Sequence, residues 1–454
     1  MMPRRLSSAA LVLFMASCFI RKCGTVGFWS ASQISNLPGS RRKSLSFETN
    51  LCNESALLRA MQDHSLNEFL ALAKTPNLDI EICDVTLRDG EQMPGVVFRA
   101  DEKLDIAIRL DEIGVEVIEA GFPVVSAAEM NAVKEVCNLG LDAKISALSR
   151  SVKKDVDAAI ECGVDMISVF IATSDLHLKY KLHMSCPEAI ACALQTVEYA
   201  KDHGLIVRFS AEDATRTDFE ILKKLYRKAE EYHADYVSVA DTVGIMNPRT
   251  TYYMISELRK VVKVPICMHC HDDLGMALAN TLAGAEAGAK QLHTTVNGIG
   301  ERSGNTPLEE LLVALRLHYD ISNYDLTKIK DLSKLVETYS EVPVARNKAV
   351  VGTNAFAHES GIHVAAVLEE PRTYELYSPE LVGAARHIII GKHTGAKALK
   401  YITQRMGYRL KDNELGALSE RVKLCSEFKH PINCEELRKL IHNMDNIEVI
   451  YPGP

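Results

Sequence analysis

From residue 81 onward the chain alternates between short runs dense in Val, Ile and other apolar residues and longer stretches with apolar residues at helical spacing. Eight apolar runs stand out: EICDVTL (81–87), VEVIEAGFP (115–123), AKISALS (143–149), MISVFIAT (166–173), IVRFSAED (206–213), YVSVADT (236–242), PICMHCH (265–271) and QLHTTVNG (291–298). Between them lie patterns such as DEKLDIAIRLDEIG and DFEILKKLYRKAEEYHA, whose spacing gathers apolar side chains on one helical face. Eight β-then-α units over roughly 230 residues predict an α/β protein of the (β/α)₈ TIM-barrel class. A doubly wound open sheet uses similar units but fewer strands, so the count favours the barrel. The barrel is expected over residues 79–320. Beyond it the alternation stops, and residues 321–454 read as a smaller, mostly helical C-terminal subdomain.

The first 50 residues follow another pattern. Met1 to Arg5 is short and basic, Ala9 to Ile20 is apolar and ends in Ala16-Ser17-Cys18, and no acidic residue precedes Glu48. The apolar run is too short to span a bilayer comfortably and reads as a signal-peptide core. The segment after it, rich in Ser, Arg and Lys, has transit-peptide character. Signal followed by transit resembles the bipartite leader of proteins sent into the complex plastids of algae. A plastid is the expected compartment, with a mitochondrial presequence as the alternative and no membrane association once the leader is removed.

Composition narrows the function. A formal net charge of −8 offers no basic field for nucleic acid or an anionic membrane, so a small-molecule substrate is expected. The 12 cysteines lack the dense spacing of a disulfide-stapled domain and read as reduced. Cys267 and Cys270 have C-x-x-C spacing, but strand alternation sends them to opposite faces, so they read as packing residues.

In a barrel of this class the active site lies at the C-terminal ends of the strands. The first strand ends in TLRDGEQ, the seventh in HCHDD, and the eighth runs into NGIGERSGN. His269 and His271, two apart on a strand, project from the same face, as two ligands of one ion should. A lone strand histidine is usually structural; two in register, with Asp89 and Asn305 available, predict a metal site. Mixed nitrogen and oxygen donors suit Mg²⁺, Mn²⁺ or Zn²⁺. Arg88, beside Asp89, is placed to face a developing oxyanion, or else to close the barrel with a salt bridge. On the fifth strand Arg208, Ser210 and Glu212 share one face. Arg208 then either grips a substrate carboxylate or forms an internal Arg–Glu pair. Gly298, Gly300 and Gly304 do not match the dinucleotide fingerprint and read as a turn.

Together TLRDGEQ, HCHDDLG, NGIGERSGN and AFAHESGIH resemble the acyl-CoA-dependent 2-oxo-acid synthases, which include the isopropylmalate, homocitrate and citramalate synthases. The resemblance runs from about Asp79 to Gly395. It implies condensation of acetyl-CoA with a 2-oxo acid in amino-acid biosynthesis, on a divalent metal held by Asp89, His269, His271 and Asn305. It further implies that Arg88 stabilises the oxyanion, and that Glu212 and Thr242 serve catalysis and the substrate carboxylate. His363 and Tyr374 are implied to enter a neighbouring subunit's barrel, making a homodimer with exchange of the C-terminal subdomain. His363 is then the candidate base.

VRFS around Arg208 and HESGIHV around His363 resemble homocitrate synthases more than isopropylmalate synthases, and an arginine suits a second substrate carboxylate, as in 2-oxoglutarate. No C-terminal domain of the leucine-sensing type is expected, which leans the same way. 2-Isopropylmalate synthase is the alternative, which the plastid-like leader suits, with citramalate synthase behind it. A barrel acyl-CoA lyase is disfavoured by the presence of HESGIH, and a non-catalytic regulator by the completeness of the motifs.

Overall fold

The structure, a computed structural model, describes residues 76–427, 432–444 and 448–449; the leader expected over residues 1–50 lies outside them. Eight parallel strands close into a barrel in sequence order: β1 (Glu81–Asp84), β2 (Val117–Gly121), β3 (Lys144–Arg150), β4 (Met166–Ala172), β5 (Ile206–Glu212), β6 (Tyr236–Asp241), β7 (Ile266–Cys270) and β8 (Gln291–Thr294). Each is followed by a helix: α1 (Ala100–Ile113), α2 (Ala127–Cys137), α3 (Lys153–Cys162), α4 (Cys186–Asp202), α5 (Phe219–Glu231), α6 (Pro248–Arg259), α7 (Ala277–Glu286) and α8 (Leu308–Tyr319). The eight units expected from the apolar periodicity are therefore all present.

The strands carry few polar positions because parallel barrel strands are covered on both faces. Outward residues such as Ile118, Ala120, Val207 and Phe209 join the layer between sheet and helices. Inward residues Cys83, Val85, Val117 and Met166, with Ile206 and Tyr236, form a separate apolar plug inside the barrel. In α5 the buried residues Leu222, Leu225, Tyr226 and Ala229 follow the helical period. Asp218 starts this helix by accepting the backbone N–H groups of Glu220 and Ile221, each at 3.0 Å.

Two strands end three or more residues before their apolar runs do. β1 stops at Asp84, whose carboxylate accepts the Thr86 N–H at 2.9 Å and turns the chain inward. β8 stops at Thr294, before the glycine-bearing loop. In both cases the chain leaves the barrel wall where it must deliver side chains to the mouth.

Past the barrel, α9 (Ile329–Ser340) still packs Ile329, Leu332 and Val336 into the barrel's own core, as do Val350, Val351, Phe356 and Val382. A second apolar cluster begins at Ile390. It gathers residues of α11 (Ala396–Arg405), α12 (Asp412–Ser426) and α13 (Cys434–His442), among them Leu399, Leu418 and Leu437. Between the two clusters lie α10 (Gly361–Glu369) and a short parallel pair of strands, β9 (Ala357–His358) and β10 (His387–Ile388).

Candidate active site and metal centre

The chain after β1 makes a wide, π-type turn over Thr86–Gly90, in which the Val85 carbonyl accepts the N–H groups of Arg88, Asp89 and Gly90 at 3.1, 2.8 and 3.1 Å. Turns of this kind are frequent at functional sites. Here the turn presents Arg88 and Asp89 side by side. His269 lies on β7 and His271 just beyond it, their Nε2 atoms 3.2 Å apart. Asp89 Oδ2 lies 3.7 Å from His269 Nε2. Potential ligand atoms of Asp89, His269 and His271, all three buried, fall within 4.8 Å of one another.

Asn305 reaches the same cluster because its loop folds back on itself. Its Nδ2 donates to Asp89 Oδ2 at 2.7 Å and to the Ile299 carbonyl at 3.2 Å. Glycine is required along this loop: a Cβ on Gly300 would collide with the Asn305 amide, and one on Gly304 with the Gly298 carbonyl oxygen, both at positive φ. The loop is thus the turn expected from the sequence, and its glycines serve Asn305.

The electrostatics suit a cation. Burial alone would raise the Asp89 carboxyl, but Arg88 and the two imidazoles outweigh it and hold the acid well below the usual carboxylate range. Burial pushes His269 down to about 3 and lowers His271, so both rings are neutral near pH 7. Two neutral Nε2 atoms facing at 3.2 Å need a proton or a cation between their lone pairs. Asn305 Oδ1 is buried with no hydrogen-bond partner, a further free oxygen at the same place. One carboxylate, two neutral imidazoles and an unpaired amide oxygen make a donor set that fits a divalent metal.

Arg88 is anchored rather than loose. Its Nε donates to Glu119 Oε1 on β2, and its Nη1 donates to Asp89 Oδ1 at 2.5 Å. The sequence reading missed Glu119. The signal was a carboxylate in an apolar strand, VIEAG, at an inward position.

Arg208 corrects an expectation. It does not offer its guanidinium to a ligand at the mouth: side chain and partner are both wholly buried, and Nη2 donates to Glu119 Oε2. Nη1 donates to Gln291 Oε1 at 2.8 Å and Cys83 Sγ at 3.1 Å, and Nε to Ser168 Oγ at 3.3 Å. The internal Arg–Glu pair was therefore the right alternative, with Glu119 rather than Glu212 as its acid. Three residues in from the start of its strand, Arg208 sits too deep, and a charge there must be fully paired.

Ser210 and Glu212, further along the inward face of β5, are only partly buried. Lys181 Nζ pairs with Glu212 Oε1, whereas Oε2 is buried without a partner. Thr242, at the end of β6, accepts the Asp213 N–H on Oγ1 at 2.8 Å, which leaves its hydroxyl proton free to donate outward. Cys267 and Cys270 lie on opposite sides of β7, Cys267 against Gln291 at 3.5 Å and Cys270 in the outer layer. All nine cysteines among the described residues are free.

His363, on α10, and Tyr374 are both exposed, and their rings stack at 4.1 Å. Ile362 beside them is 79% exposed and Leu376 65%. Among the described residues, no hydrogen bond or ring contact joins this pair to the barrel-mouth cluster. Glu375, next to Tyr374, is fixed by Arg386 through both oxygens and by His358 Nε2 at 3.2 Å.

The HMGL-like family model matches residues 79–336, more than half of the chain. The chain belongs to the HMGL-like family. Residues 350–430 of this HMGL-like protein also match a second model, described as homocitrate synthase post-HMGL domain-like. The homocitrate synthase AksA of Methanosarcina acetivorans is 59% identical over 382 residues, covering 84% of this chain and 94% of the relative. The 2-isopropylmalate synthase of Methanocaldococcus jannaschii is 54% identical over 346 residues, covering 76% and 67%. Its (R)-citramalate synthase is 45% identical over 366 residues, covering 80% and 74%. Among solved structures, the HMG-CoA lyase of Bacillus subtilis aligns over 60% of this chain and 97% of its own with a TM-score of 0.55; at 22% identity this shows the shared fold alone.

Proposed function

We propose that this HMGL-like protein condenses acetyl-CoA with a 2-oxo acid, 2-oxoglutarate before others, and releases CoA. The observation that carries the reading is the convergence of Asp89, His269 and His271 beside Arg88 at the barrel mouth. Relatives at 48–60% identity bear the name homocitrate synthase, which supports 2-oxoglutarate. The alternative 2-oxo acid, 3-methyl-2-oxobutanoate, is a second reading, since the M. jannaschii 2-isopropylmalate synthase is 54% identical and that organism's homocitrate synthase 48%.

Asp89, His269 and His271, with Asn305 alongside, would hold Mg²⁺, Mn²⁺ or Zn²⁺, and such an ion supplies Lewis-acid polarisation of a chelated 2-oxo carbonyl. Thr242 donates its free hydroxyl proton to the substrate carboxylate. Glu212 and His363 of the partner subunit act as the base pair that takes a proton from the acetyl methyl group. The methyl carbon bonds to the keto carbon as the carbonyl π pair moves onto oxygen; Arg88, held by Glu119, faces that oxygen, which then takes up the proton removed from the methyl group. Water then cleaves the thioester, giving a carboxylate and the CoA thiol.

The stacked, exposed His363 and Tyr374, with Ile362 and Leu376 exposed next to them in sequence, support a homodimer in which each C-terminal region completes the other barrel, because exposed apolar side chains fit an interface. The leader supports import into a plastid. Purified protein lacking the leader, given acetyl-CoA and Mn²⁺, is expected to release CoA with 2-oxoglutarate. Silence with 2-oxoglutarate, 3-methyl-2-oxobutanoate and pyruvate alike would refute the synthase reading.

A further inference from the structure

The loop after β4 places an imidazole between the last two carboxylates of the β5 end. His177 Nδ1 lies 3.8 Å from Glu212 Oε1, and its Nε2 lies 3.8 Å from Asp213 Oδ2. His177 Nδ1 and Glu212 Oε2 are both buried with no hydrogen-bond partner. Leaving Nδ1 unpaired costs free energy, so an arrangement that joins it to the nearer carboxylate oxygen, Oε1, is favoured.

The backbone around the ring is held, though the ring itself is not. The His177 backbone N–H donates to Ser174 Oγ at 3.3 Å, and Ser174 Oγ itself donates to Asp213 Oδ2. Asp213 is pinned further by the Arg216 Nε at 2.7 Å and by its own N–H on Thr242. The charged groups around the ring are Glu212 at the end of β5, Asp213 and Arg216 just after it, and Lys181 from His177's own loop. Lys181 competes for the same Glu212 oxygen, Oε1. A closure of about 1 Å brings the ring from ion-pair reach to hydrogen-bond distance.

We propose that His177 is a positioning residue for Glu212: it closes on Oε1, fixes the orientation of the carboxylate, and leaves Oε2 for the substrate side, while Asp213 steadies the far ring nitrogen. This rests on the reading of Glu212 as part of the catalytic base pair.

Two measurements on the full-length mature protein test it. The first needs no turnover: ¹⁵N spectra of imidazole-labelled protein, with the His177 signal identified by its loss in His177→Asn. The Nδ1 resonance is expected to move in Glu212→Gln, and an unmoved resonance overturns the pairing. The second is kinetic. His177→Asn is expected to lower kcat at least tenfold, because the carboxylate loses the neighbour that orients it. KM for the 2-oxo acid should stay within about twofold, since His177 acts on the base rather than on that substrate. An unchanged kcat, or a KM that rises in step with the loss of kcat, overturns the positioning role. Wild-type protein that turns over no 2-oxo acid would refute the synthase reading, and the spectra would still decide whether His177 and Glu212 are paired.

Discussion

Arg88 and Arg208 share one carboxylate: Glu119 takes Arg88 on Oε1 and Arg208 on Oε2. The outer arginine also pairs with Asp89 and so belongs to the metal cluster, whereas the inner one is sealed in the barrel with Gln291, Ser168 and Cys83. Charge at the mouth is thus aligned by charge buried beneath it.

Breaking that buried pair should be costly whatever the substrate. Arg208→Gln leaves Glu119 Oε2 without its cation in a wholly buried position while Arg88 still holds Oε1, and is expected to destabilise the fold by about 3 kcal/mol, the low end of the range for losing one partner of a buried ion pair. Urea unfolding of wild type and variant measures it. A variant of unchanged stability that loses activity on 2-oxoglutarate alone would restore Arg208 to the substrate site.

The metal ligands should separate from their support. His269→Ala and His271→Ala each remove a donor and are expected to leave protein that no longer retains stoichiometric metal after gel filtration, as read by elemental analysis. Asn305→Ala also removes the amide that steadies Asp89, and is expected to weaken metal affinity by roughly 10–100-fold, the usual effect of losing such a support. Full metal content in both histidine variants would place the ion elsewhere.

Acid should unfold the metal-free protein through its buried imidazoles. His269 titrates at about 3 when folded, and His271 and His293 are lowered by burial too, against an ordinary value of 6.5. The unfolded chain then binds protons that the folded chain refuses. Stability from these groups is complete above pH 6.5 and is lost as pH falls toward 3. Asp84, pushed up to about 7 by burial, acts in the opposite sense: its contribution declines as pH rises from about 4 to 7. Both ring nitrogens of His293 are buried and unpartnered, so His293→Phe is expected to flatten the acid-side fall of the urea midpoint in EDTA. Parallel pH curves for variant and wild type would count against this account.

Exchange of C-terminal regions has a simple signature. Glu212→Gln and His363→Ala should each be inactive alone. In a mixed dimer one barrel keeps both groups, so random re-association of equal amounts should recover about a quarter of wild-type activity, as expected for a two-fold dimer with one good site in half the particles. No recovery after confirmed subunit mixing would mean that each chain completes its own site.

Much of this protein was legible in its sequence because both relevant periodicities are local. The apolar runs and helical stripes determined the eight β-then-α units, and two histidines spaced by two on a strand were bound to share a face. The motifs also placed Arg88, Asp89, His269, His271 and Asn305 at strand ends, where the barrel brings them together. Tertiary structure decided the rest. Depth along an inward-facing strand, which no periodicity encodes, made Arg208 a buried structural cation rather than a ligand at the mouth. Glu119 and His177 went unremarked because their partners lie 89 and 35 residues away in sequence or on a different loop, and only barrel closure brings those charges within reach. Sequence specifies which face a side chain takes; packing alone sets how deep it lies and which charge it meets.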